Sequence, residues 1–477
     1  MATRVKSKIA ICFGQFAPYT HARVLALQSF ATSVDVIPMQ IAAESSTYQW
    51  SSDGIELCAN LRTLCTGTLE TSPPLQVFLR ARKFFRDERI GVAFLASYWP
   101  APQLALAMAA KSLGIPTVMM SDSHAGTERA AGLKKRLKRR IVRMFDAALV
   151  AGSPHQRYYA SLGIPVERIF TGFDVVDNRF FSESSARARH LATSRETCGA
   201  HEIRTKLRLP DRYFLNIGRM VEKKNLSTLL DAFSQYVRNC TRNGEAAYSL
   251  VLVGSGECER TLRRKARTLG LNVIDCTDVS VKESTVTSCN CSKTVEDGSE
   301  YAASDAHKAK AGSVLFYGYR QITETPFFYA FAEAFILPSL SEEWGLVVNE
   351  AMACSLPVIV SRTAGCAEDL LPPVGAGHRL TSPCRGAGVE LGHEGRGPRL
   401  EERANGFLFD PTSSDALAEA MSLIASASQE GHQDQRNAVI SQMKTQSLQI
   451  VAGFSCEYFA RQTLRAAAAS TENSSDR

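Results

Sequence analysis

Two glutamates, Glu342 and Glu350, stand eight residues apart in the stretch AFILPSLSEEWGLVVNEAMACSLPVIV, residues 334–360. Glu342 follows an apolar run that ends in Pro-Ser-Leu, and Glu350 falls in the first turns of a predicted helix. An acidic residue near a helix start is often only a response to the helix dipole. Two carboxylates around a Trp-Gly corner, set between two apolar strands, could instead grip the hydroxyls of a ligand, because each oxygen accepts a strong hydrogen bond. The backbone N–H groups around Trp344, Gly345, Leu346 and Val347 lie at that same helix start, where they lack intrahelical partners and could hold a phosphate.

A second group of candidates lies in NIGRMVEKKNLSTLL. A strand ends at Gly218, and Arg219 and Lys224 follow at the entrance to a helix. Two cations beside a helix N-terminus make a phosphate cradle, although such charges also occur in plain solvated loops. LVLVGSGECER reads as strand, turn and helix, but Glu259 occupies the third glycine position of a dinucleotide fingerprint, so the turn alone explains it. The chain contains no GxxxxGK[ST], which removes a P-loop. Gly14, in CFGQFAPY after the first strand, permits either a turn or the close approach of a ligand to backbone. Cations, helix N–H groups and two carboxylates together suit a nucleotide diphosphate sugar.

These residues need strands and helices in alternation to bring them to one edge, and the sequence supplies them. Apolar runs at 9–13, 34–39, 91–97, 115–122, 147–152 and 168–172 are separated by helical patterns, which implies a parallel sheet covered on both faces. Residues 181–207, rich in Ser, Arg and Ala, lose the pattern and read as a linker. The alternation restarts at 212 and continues through LPVIV, giving a second sheet. The expected architecture is therefore two doubly wound Rossmann-like α/β domains, 1–180 and 208–430, facing a cleft, with ligands beyond the carboxyl ends of the strands. Residues 275–312 and 372–403 read as surface insertions, 431–470 as helices packing back on the first domain, and 471–477 as a disordered tail.

At 477 residues the length sets two or three domains, and 45% hydrophobic with 22% charged residues is ordinary globular composition. A net charge of +7 suits an anionic ligand but lacks the Lys/Arg density of a nucleic-acid binder. The thirteen cysteines never fall in C-x-x-C spacing and read as reduced thiols in a cytoplasmic protein rather than a disulfide framework or zinc site. No apolar stretch approaches the ~20 residues of a membrane span. In GLKKRLKRRIVRMF, residues 132–145, Leu133, Leu137, Ile141 and Met144 form one stripe among Lys and Arg. That pattern fits peripheral contact with anionic lipid, but the doubly wound architecture favours a helix packed on the sheet.

GRMVEKKN, LVGSGE, PSLSEEWGLVVNEAMACSLPVIVS and NGFLFDP, in this order, resemble the nucleotide-sugar domain of family-4 retaining glycosyltransferases with the GT-B fold. The resemblance spans about residues 212–425, and the E-x7-E spacing of Glu342 and Glu350 is its most specific part. It implies that Arg219 and Lys224 neutralise the donor pyrophosphate, that Glu342 contacts the donor sugar and that Glu350 contacts the ribose hydroxyls. It further implies phosphate held by backbone from Trp344 to Val347, with Gly218 and Gly14 lining the cleft. Neither a cofactor nor a metal is expected, since the donor is the substrate and no D-x-D motif occurs.

Several features depart from the family pattern. Gly14 is followed by Gln15 and Phe16 where a second glycine is common, and Ser355 replaces a usual glycine. His124, in MMSDSHAG, stands near where relatives place a histidine facing the donor sugar, although a lone histidine is more often structural; His21 is a weaker candidate. The acceptor is open: a glycan, a lipid-linked sugar or a small molecule. A nucleotide-sugar epimerase or hydrolase, or an inactive nucleotide-sugar-binding protein, are the alternatives on the same residues.

Overall fold

The structure, a computed structural model, describes residues 7–46, 54–193, 199–279, 310–374, 399–427 and 433–472. It divides into two compact units, residues 1–178 with 452–477 and residues 179–451.

The first unit is built on β1 (Ser7–Phe13), β2 (Val34–Gln40), β3 (Arg62–Thr63), β4 (Val92–Ala96), β5 (Thr117–Ser121), β6 (Ala147–Val150) and β7 (Ile169–Thr171). All pair in parallel, in the order β3-β2-β1-β4-β5-β6-β7. Because successive strand residues point to opposite faces, the continuous apolar runs feed two cores at once. Ala10, Cys12, Ala93, Leu95 and Met119 enter one core, and Ile9, Ile11, Val92, Phe94 and Val118 the other.

The second of these cores is completed by the last helix of the chain, Cys456–Thr471, through Phe459, Ala460, Ala466 and Ala467. Ser455 caps that helix by accepting from the Tyr458 backbone, and it also forms a bridge with Val176. The preceding helix, Gln433–Ala452, instead contributes Ile440 and Met443 to the core of the second unit. The two helical segments expected to return together thus serve different units.

The second unit contains β8 (Tyr213–Ile217), β9 (Ser249–Val253), β10 (Val273–Asp275), β11 (Val314–Phe316), β12 (Ala334–Leu337), β13 (Val358–Ser361), β14 (Leu400–Arg403) and β15 (Gly406–Phe409). Their order is β10-β11-β9-β8-β12-β13-β15-β14, parallel except for the antiparallel β14–β15 edge hairpin. The strand order reverses at β8, which lies between β9 and β12. A doubly wound sheet opens a crevice at such a point, beyond the carboxyl ends of its strands.

Three expectations need correction. The presumed linker is largely helical, as Asn178–Thr193 and Gly199–Lys206, and lies with the second unit. The insertion expected at 372–403 includes β14 at its end; its centre, 375–398, lies outside the described residues, as do 280–309 of the other insertion and the tail from 473. Helix Gly132–Val142 packs only part of its apolar stripe: Ile141 lies against the core of the first unit, but Leu133 is 80% and Leu137 59% exposed.

Candidate functional site

The carboxyl end of β8 carries Gly218, exposed Arg219 and then a single 3-10 turn, Glu222–Lys224. This corner is fixed by the Gly-Ser-Gly turn after β9. The Met220 N–H donates to the Ser255 carbonyl at 2.8 Å, and the Cys258 N–H to the Met220 carbonyl at 2.9 Å. Gly254 has φ +131°, and a Cβ there would overlap the Gly218 carbonyl oxygen. The Gly-x-Gly motif therefore works here as a seat for the Arg219 loop.

Asn225 closes the turn in the left-handed conformation, φ 56°, which Asn tolerates better than most residues. Its Nδ2 donates to the carbonyls of Pro338 (3.0 Å) and Pro411 (2.8 Å), and its Oδ1 accepts from the Thr228 hydroxyl at 2.7 Å. That buried amide ties the Lys224 turn to the end of β12. Sequence reasoning passed over it, because its side chain makes no cap bond to the helix it precedes and instead reaches carbonyls far away in the chain.

Lys224 Nζ donates to Glu342 Oε2, and the Ser339 hydroxyl donates to the same oxygen at 2.9 Å. The side chains of this pair are 14% and 9% exposed. Beside it, Lys223 pairs with Glu343 at 2.7 Å. Burial pushes the Glu343 carboxyl up, but the bond and charge of Lys223 more than reverse this and hold it below its ordinary value. The Glu342 loop is laid against the loop after β13, where the Gly365 N–H donates to the Glu342 carbonyl at 3.0 Å and the Cys366 N–H to the Trp344 carbonyl at 3.2 Å.

Gly345 precedes helix Leu346–Ala353 with φ +104°, and a Cβ there would lie 2.9 Å from Leu337 Cδ2. The helix start has no side-chain cap, so the N–H groups of Leu346 and Val347 begin it. Trp344 is buried with its Nε1–H donating to Asn349 Oδ1 at 2.9 Å, so only its backbone is left to take part in the helix start. Glu350 is also buried, and accepts from the Tyr329 hydroxyl at 2.8 Å. Arg189 donates to the carbonyls of Ala330 (3.2 Å) and Cys354 (3.3 Å), at the carboxyl ends of the two helices that carry Tyr329 and Glu350. Ser339, Tyr329 and Arg189 were not foreseen, because their spacing from the glutamates carries no pattern.

The second unit thus brings together Gly218, Arg219, Lys224, Glu342 and the Gly345–Val347 helix start, with Glu350 one turn further along. Cations and helix N–H groups suit phosphate; the carboxylates suit hydroxyls.

Gly14 and His124 belong to the first unit. Gly14 is buried at the end of β1, where a Cβ would lie 2.6 Å from Leu69 Cδ2. His124 follows β5 and caps the turn Ala125–Thr127: its Nδ1 accepts from the Gly126 N–H at 3.2 Å, and its ring sits edge-on to His155 at 5.1 Å. His21 lies within helix Pro18–Phe30 and holds a distant loop, its Nδ1 accepting from the Cys58 N–H at 3.1 Å, and burial pushes its pKa below the ordinary value.

The chain is similar in structure to Anabaena HepE, solved with UDP and glucose, at 14% identity and TM-score 0.60, over 96% of this chain and 98% of that one. It is also similar to alpha,alpha-trehalose 6-phosphate synthase from Burkholderia multivorans, at 10% identity and TM-score 0.63, over 99% of each chain. A third likeness is to sucrose-phosphate synthase from Thermosynechococcus elongatus, at 17% identity and TM-score 0.56, over 96% and 97%. The fold is GT-B. Residues 294–376 match the model of glycosyl transferases group 1, a segment that includes both glutamates, helix Leu346–Ala353 and β13. A search of curated protein sequences finds no match. Within the GT-B fold the candidate site occupies the switch point of the second sheet.

Proposed function

We propose that the protein is a retaining, hexosyl-type glycosyltransferase of family 4, taking its sugar from a nucleotide diphosphate donor. The observation that carries this reading is the buried Lys224–Glu342 pair beside Arg219 and an uncapped helix start, all at the sheet's switch point. The match of 294–376 to group 1 glycosyl transferases supports it.

The roles follow from charge and hydrogen-bonding capacity. Arg219, Lys224 and the N–H groups of Leu346 and Val347 neutralise the diphosphate, Glu342 accepts from sugar hydroxyls, and Glu350 accepts from the ribose. When the anomeric C–O bond breaks, its electron pair leaves on the diphosphate, and preorganised cations in a water-poor site lower the cost of that charge. The acceptor hydroxyl forms the new bond on the same face and passes its proton to a donor phosphate oxygen. Such a path keeps the anomeric configuration without the two-carboxylate apparatus of glycosidases. The loops after β1 and β5, with Gly14 and His124, are assigned to the acceptor-side unit, whose partner is a glycan, a lipid-linked sugar or a small molecule. Nine free cysteines among the described residues, eight of them buried, suit a reducing, cytoplasmic setting.

The test is thermal shift against UDP, GDP, ADP, CMP and NAD with Lys224→Ala as control. Selective stabilisation by one nucleoside diphosphate, lost in the control, is the expected result. A well-folded protein that responds to none of the diphosphates would remove the donor site. NMR of the product's anomeric proton then tests retention, and acceptor dependence separates transfer from hydrolysis or epimerisation.

A further inference from the structure

We propose that helix Gly132–Val142, with the turn at 97–100, is a docking surface for an anionic lipid bilayer. The helix is anchored along one side only. Lys138 pairs with Glu128 at 3.3 Å and lies 5.0 Å from the Tyr158 ring centroid, and Val142 is buried below it. Arg139 donates to the Ser161 carbonyl at 3.1 Å. The opposite side meets solvent. Leu133 and Leu137, one turn apart, share a face and are 80% and 59% exposed. Arg136 and Arg140 stand three residues after each of them and flank the same face, with Lys134 at its edge, while Lys135 is exposed on the other side of the helix. Among the described residues none of these four cations is paired with a carboxylate, and no acidic residue occurs from 132 to 145.

An ordinary surface helix would turn its leucines inward and its charges outward. Here leucine and cation leave the protein together, which costs exposed apolar area in water and is recovered where hydrocarbon lies just beneath negative charge. The neighbouring turn agrees. Lys138 Nζ is 5.9 Å from the Tyr98 ring centroid, so the 97–100 turn runs along the anchored side of the helix, and the adjacent Trp99 is 73% exposed at its edge. A tryptophan is the side chain most at home at the level of lipid headgroups. No helix among the described residues is long and apolar enough to cross a membrane, so the contact is one of lying on the surface.

The experiment is vesicle flotation of the full chain, without nucleotide, on phosphatidylcholine alone and on phosphatidylcholine with about one third phosphatidylglycerol, at low and high salt. The surface predicts flotation on the anionic vesicles only, weakened by salt. Leu133→Ser/Leu137→Ser and Arg136→Glu/Arg140→Glu should each reduce partitioning about tenfold or more. Both pairs are exposed, so circular dichroism should confirm unchanged folding. Absence of flotation on anionic vesicles overturns the proposal. Undiminished flotation of the Leu double variant also overturns it, because the vesicles would then be held without the apolar face. Because no nucleotide is present, the result is independent of the donor-site assay.

Discussion

At the scale of single residues, the Lys224–Glu342 pair is the sharpest object in the second unit. Its side chains are mostly buried, so removing one partner strands the other charge. Lys224→Met should lower stability by about 3 kcal/mol as well as abolish nucleotide response. Adding Glu342→Gln should restore part of that stability but none of the response, since a neutral amide no longer needs a cation. A double-mutant cycle by thermal unfolding measures this, and additive losses would show that the two side chains do not act as a pair. His21 gives a prediction in pH. Its pKa is lowered by burial from 6.5, so the unfolded chain binds the proton more readily. Stability is therefore fully present above about pH 6.5 and falls as pH drops below it, by up to about 1.4 kcal/mol per pH unit until the folded-state pKa is reached. His21→Gln should flatten that limb of the unfolding curve; an unchanged slope would place the titration elsewhere. The glutamates, the cations and Gly345 were legible because charge and glycine announce themselves. Ser339 and Asn225, which position them, were not, because a small polar residue carries the same letter whether it bonds a carboxylate or water.

At the scale of elements, the decisive feature is how two short helices are held. Tyr329 lies on Thr325–Ala330 and Glu350 on Leu346–Ala353, and Arg189 donates to a carbonyl at the carboxyl end of each. A cation there meets both the unpaired carbonyls and the negative end of each helix dipole. Arg189→Met should leave those carbonyls unpaired and let the Tyr329–Glu350 contact loosen, raising KM for the donor several-fold with a smaller change in kcat. Equal losses in both would assign Arg189 to the reaction itself. Arg189 sits on helix Asn178–Thr193, within the stretch 181–207 read from sequence as a linker. The reason it was missed is physical: its inward positions are Phe181, Ser185 and Ala188, so the buried stripe has correct helical spacing but only one large apolar side chain. The strands, by contrast, were legible because a sheet buried on both faces must be apolar without interruption. Edge strands β3 and β14 lack that requirement, and their sequences show none of it.

At the scale of the whole molecule, the chain returns at its end to finish what it began. Two doubly wound sheets could be expected from the alternating patterns, but no local signal tells a terminal helix which sheet to cover. Helix Cys456–Thr471 lies along helix Pro18–Phe30 and against β5, β6 and β7 of the first unit. Phe459 is fully buried there among Ile11, Phe94, Val118 and Leu149. The register is pinned by Tyr458, whose hydroxyl bonds Thr171 at 2.9 Å, and by Asn178, whose Nδ2 donates to the Phe454 carbonyl at 3.2 Å. Phe459→Ala removes a large side chain from a core that cannot collapse around the gap, because a seven-stranded parallel sheet forms its floor. The cost should be about 3–5 kcal/mol. That loss belongs to the first unit alone, since the second keeps its own core with Ile440 and Met443 of the penultimate helix. Calorimetry should therefore show one transition moving down while the transition that responds to nucleoside diphosphate stays in place. A common downward shift of both would mean that the two units unfold as one.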